Sequence, residues 1–133
     1  MEIHSFNDGL VILADEGSAG KLTPEQIRLC EETKKLLVGK YLLPEFTYVM
    51  NEEGGTAPET TGILLQGLEY PGMHEESFSD WNDSDNCIES ITNNLDAIKK
   101  NPEITKVCII CGHMESFLFM KTFLTNNNSF QAN

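Results

Sequence analysis

ITKVCIICGHMESFLFMKTFL, residues 104–124, holds two successive elements that both lack a polar face. The first part, Ile104 to Cys111, reads as a strand. Its Val107, Ile109 and Ile110 fall on both sides of the strand alternation, and a strand apolar on both faces must be covered twice. The second part runs from Glu115 or Ser116 to Leu124 and reads as a helix. It is apolar almost all round through Phe117, Leu118, Phe119, Met120 and Phe123, so it must be buried or paired. One arrangement meets both demands: the helix lies on the sheet face that the rest of the chain leaves open.

Upstream, Ile88, Ile91, Leu95 and Ile98 share one face of a helix that Ser84 or Asp85 caps and that Asn101 and Pro102 end. Thr23, Pro24 and Gln26 supply an N-cap, a proline in the first turn and a capping-box partner. A helix therefore starts at Pro24 and runs to about Gly39 or Tyr41. Leu10 to Ala14 is a short apolar strand, and Phe46, Tyr48 and Met50 alternate as a second strand. Asn51 to Thr61, with Gly54, Gly55 and Pro58, reads as a loop. Gly62 to Tyr70 reads as a third strand that Pro71 and Gly72 end, and Met73 to Asn86 as an acidic loop.

The expected order is strand, helix, strand, strand, helix, strand and a last helix. This is an α+β chain with the βαββαβ pattern of a ferredoxin-like sandwich plus an extra C-terminal helix. A three-layer α/β sheet is the alternative. Residues 1–125 are expected to form a single globular domain, with 126–133 a disordered polar tail.

Charge is the most informative feature of the composition. The chain of 133 residues carries 9 basic against 21 acidic side chains, a formal net charge of −12. Between Tyr41 and Ile98 there is no Lys or Arg, and the whole excess of acid lies in that segment. A field of one sign repels nucleic acid and anionic membrane and attracts basic surfaces. Direct nucleic-acid binding and membrane association are therefore not expected. No apolar run approaches the ~20 residues of a membrane span, and Met1 to Gly9 lacks the features of a signal peptide, so a cytoplasmic protein is expected.

The four cysteines, Cys30, Cys87, Cys108 and Cys111, read as reduced thiols. Cys108-x-x-Cys111-Gly112-His113 resembles half a zinc ribbon, but Cys30 and Cys87 form no second knuckle. Cys108 and Cys111, three apart on a strand, also point to opposite faces. No metal and no cofactor is assigned. Cys111 before a helix N-terminus, with His113 as base, frames a small thiol- or His-dependent enzyme as one alternative function. The acidic loop fails the EF-hand pattern, because Asp85 stands where the glycine belongs and Ile91 where the bidentate glutamate belongs. Phosphate chemistry lacks both a glycine-rich cradle and basic residues, Arg28 being the only arginine.

Large apolar residues embedded among carboxylates have the make-up of a recognition surface. Glu75, Glu76, Phe78, Asp80, Trp81, Asp83 and Asp85 are the candidate partner-binding residues. The expected function is a small acidic inhibitor that neutralises a basic, nucleic-acid-handling partner, as immunity proteins and anti-defence proteins do. A homo-oligomer built through the apolar C-terminal helix is the third reading.

Overall fold

The computed structural model describes residues 1–6, 9–41, 47–67 and 73–127. Within them the chain forms β1 (Glu2–Phe6), β2 (Gly9–Leu13), α1 (Pro24–Tyr41), β3 (Tyr48–Glu52) and α2 (Ala57–Leu65). It continues through β4 (His74–Phe78), α3 (Ser84–Lys100), β5 (Val107–Cys111) and α4 (Met114–Asn127). The protein is thus a mixed helix and strand structure.

The strands make one mixed five-stranded sheet in the order β1-β2-β5-β3-β4. Strand β1 runs antiparallel to β2, while β2, β5, β3 and β4 run parallel to one another. Parallel strands need crossovers, and each is joined to the next by a helix. This order corrects the ferredoxin-like expectation. Residues 57–65, read as loop and strand, are helix α2, and residues 74–78, read as loop, are strand β4. A short strand at the N-terminus, β1, was not expected at all. The ends of the expected second and third strands, at Phe46 and at 68–72, lie outside the described residues, as does most of the expected tail; Asn126 and Asn127 belong to α4.

Helices cover both faces of the sheet. Leu37 of α1 and Ala57, Leu64 and Leu65 of α2 pack on Leu10, Ile12, Val49, Cys108 and Ile110. On the other face Cys87, Ile91, Leu95 and Ile98 of α3 and Phe117, Met120 and Leu124 of α4 pack on Val11, Tyr48, Met50, Val107, Ile109 and Cys111. The two sets alternate along each strand, as the period of two requires. All five residues of β5 are buried, which is what its central position between two helical layers demands. The apolar character of α4 is absorbed mainly within the chain, with Met114 and Leu118 left about half exposed. Among the described residues no helix is long and apolar enough to cross a membrane.

Local signals explain the elements that were legible. Thr23 and Gln26 form a reciprocal capping box: the Gln26 N–H donates to Thr23 Oγ1 at 3.2 Å, and the Thr23 N–H donates to Gln26 Oε1 at 3.0 Å. Helix α3 places Lys99 and Lys100 in its last turn, where the helix dipole favours positive charge.

Candidate functional site at the carboxyl end of the sheet

Strand β5 lies between β2 and β3, yet the chain leaves these strands toward different faces. After β2 and β3 it turns to α1 and α2 on one face, and after β5 to α4 on the other. Neighbouring strands whose continuations part in this way open a crevice beyond their carboxyl ends. A cavity of about 460 Å³ lies there, with Asp15, Glu16, His113 and Glu115 among its lining residues.

Glu52 is the centre of the arrangement. As the last residue of β3 it continues the face carrying Tyr48 and Met50, and its side chain is 0% exposed. A carboxylate at that depth requires donors on every lone pair. It has four. The Gly112 N–H (2.9 Å) and the Ser116 hydroxyl (2.5 Å) donate to Oε1. The Trp81 N–H (3.0 Å) donates to Oε2, and His113 Nδ1 lies 2.5 Å from the same oxygen. Gly112 and Ser116 bracket the start of α4 and Trp81 lies three residues before α3, so the segments that lead into two helices converge on this one carboxylate.

Asp80 follows β4 and approaches the same imidazole, with Oδ1 at 3.7 Å from His113 Nδ1. The Asn82 N–H holds Oδ1 at 2.8 Å. Glycines allow the closeness. A Cβ on Gly54 would stand within 2.3–2.6 Å of the Asp80 carboxylate, and one on Gly112 would stand 2.1 Å from the Gly54 carbonyl oxygen. Glu52, Asp80 and His113 thus come from the ends of three parallel strands, and one ligand-bearing atom of each lies within 4.8 Å of the others. Also lining the cavity, Asp15 pairs with the Met1 terminal amine, while its Oδ2 is buried with no partner among the described residues.

The expected partner-binding residues part company here. Asp80 joins the cluster. Phe78 is buried in the core and offers no surface, which corrects its place in the expected binding patch. Trp81 is partly buried against Phe119, at a ring separation of 6.0 Å, and its backbone serves Glu52. Asp83 and Asp85 are exposed at the start of α3. Glu75 and Glu76 are exposed on β4, at the edge of the sheet and away from the cluster.

Cys111 is fully buried, and burial followed by the charge of Glu52 pushes its thiol well above the ordinary range, the opposite of what a nucleophile needs. Cys108 and Cys111 belong to opposite faces of the sheet. His113 turns to Glu52 instead of to a thiol. What sequence reasoning missed is Glu52 itself. Carrying the alternation of Tyr48 and Met50 one step further would have placed an acid on a buried face.

A scan against protein-family models finds no match, and a search of the curated proteins finds no similar protein.

Proposed function

We propose that this protein is a small acidic binding protein that inhibits a basic, nucleic-acid-handling partner by presenting its carboxylate-lined sheet end to the partner's cationic surface. The supporting observation is where topology puts the charges. The loops and first helical turns beyond the carboxyl ends of the parallel strands carry Asp15, Glu16, Glu25, Glu53, Glu59, Asp80, Asp83, Asp85 and Glu115 against Lys21, with Arg28 just beyond, paired to Glu25 and Glu32. Lys34, Lys35, Lys99, Lys100 and Lys106 lie toward the opposite end, in the second half of α1, the last turn of α3 and the approach to β5, where they outnumber Asp96 and Glu103. The molecule is therefore electrically polar along its strands. Such a field steers a cationic partner to one end and orients it on arrival. Trp81, half-buried beside Asp80, is the apolar residue placed to anchor the contact.

Calorimetric titration against a panel of basic nucleases tests the reading. Between about 0.1 M and 1 M salt the Debye length falls from about 10 Å to about 3 Å, and a steered complex should lose at least about tenfold in affinity. Inhibition should weaken in parallel in the Asp83→Asn, Asp85→Asn double variant. Binding that ignores both salt and these substitutions would remove the charge face from the account.

A further inference from the structure

A buried carboxylate persists when it is paired or when it holds a metal. Glu52 meets three neutral donors and one imidazole, and Asp80 brings a second carboxylate to that same imidazole. Even a protonated His113 supplies one positive charge against two negative ones. The ion pairs described at Glu52 and Asp80 are with His113 alone. The site is short of positive charge, and its most buried member cannot recover the deficit from water.

We propose that Glu52, Asp80 and His113 bind one divalent first-row transition-metal ion. The ion takes the place of the hydrogen between His113 Nδ1 and Glu52 Oε2, with Asp80 Oδ1 as third ligand and water completing the shell. On binding, the imidazole carries its proton on the other ring nitrogen. Two ligands each about 2.1 Å from an ion stand roughly 3.0–3.4 Å apart, so the present 2.5 Å contact opens by less than about 1 Å. His113, about a quarter exposed, and Asp80, 38% exposed, make that adjustment on their solvent side, Asp80 Oδ1 keeping its Asn82 N–H donor on a second lone pair. Glu52 keeps its Gly112, Ser116 and Trp81 donors, which fix its orientation from outside the coordination shell. One nitrogen with two oxygens favours Zn²⁺, Co²⁺ or Mn²⁺ over Mg²⁺ and Ca²⁺, which prefer oxygen alone. Cys111, though near in sequence, is buried in the core and does not take part.

Titration of the purified protein with Zn²⁺ alone, followed by calorimetry, should give one ion per chain. Mg²⁺ and Ca²⁺ at equal concentration should bind far more weakly. His113→Ala and Asp80→Asn should each lower the Zn²⁺ affinity by about tenfold or more, the loss expected when a ligand or its support is removed. Glu75→Gln with Glu76→Gln, which removes two exposed carboxylates on the edge strand, should leave it unchanged. Substituting Co²⁺ should give visible d–d bands without the near-ultraviolet thiolate band that cysteine ligation produces. Circular dichroism of each variant separates lost binding from lost folding, and should Asp80→Asn fail to fold, His113→Ala alone carries the test. Zn²⁺ affinity untouched by His113→Ala, a thiolate band with Co²⁺, or no stoichiometric binding would each overturn the proposal.

Discussion

Glu52 occupies a position where its neighbours on the same sheet face are apolar, and its charge is tolerated only through four directed contacts. Replacing it with alanine strands the Gly112 and Trp81 N–H groups and leaves the Ser116 hydroxyl only the His113 carbonyl as acceptor. Glu52→Ala should therefore cost about 2–4 kcal/mol, read from the urea midpoint, and Glu52→Gln less, because the amide oxygen still accepts. Gly112→Ala should be comparably damaging, since the added Cβ meets the Gly54 backbone carbonyl at 2.1 Å and no side chain can yield there. Part of this site was legible. His113 stood out beside Cys111, and Asp80 among its neighbouring acids, but their true partner lay in Asn51 to Thr61, where two glycines and a proline suggested a loop. Those glycines serve close approach at the crevice: Gly55 takes a φ of 60° and lies against the Gly112 carbonyl.

At the scale of elements, the misread helix and strand have identifiable causes. In α2, Thr60, Thr61 and Ile63 have β-branched side chains and Gly62 is a weak helix former, so local propensity opposes a helix. Burial of Ala57, Leu64 and Leu65 against the sheet and packing on α1 override it. Strand β4 was hidden because His74, Glu75, Glu76 and Ser77 are all exposed, the composition of a protected edge. Charge there blocks pairing with other chains. A Glu75→Val, Glu76→Val variant should accordingly self-associate with rising concentration, visible by light scattering, while the parent does not. The strongly patterned elements, α3 and β5, were readable because a single apolar stripe or an unbroken apolar run leaves few alternatives. The same packing governs the thiols. Burial pushes Cys87 and Cys108 up to about 12, with Glu52 adding to the effect at Cys87. Alkylation at pH 8 should modify neither until the chain is unfolded.

Across the whole molecule those thiols also link stability to pH. Their protons leave the unfolded chain near the ordinary value of 9.0 but stay on the folded one to about 12. The folded state thus binds more protons in that window, and stability falls as pH rises through it. Denaturation midpoints at about pH 8 and about pH 10 should show the decline. The larger feature is the separation of charge along the strands. The sequence carried its magnitude, in a segment of 58 residues from Tyr41 to Ile98 without Lys or Arg. It did not reveal the direction, because that depends on which loops the parallel topology gathers at one end.

The most direct measurement is a map of amide chemical-shift changes on titrating the protein with an arginine-rich peptide at low salt. The largest changes should fall on Glu16, Gly54, Asp80, Asp83 and Gly112, at the carboxyl end of the sheet, and should fade as salt is added. Changes spread evenly over the surface, or centred on Glu75 and Glu76, would contradict it.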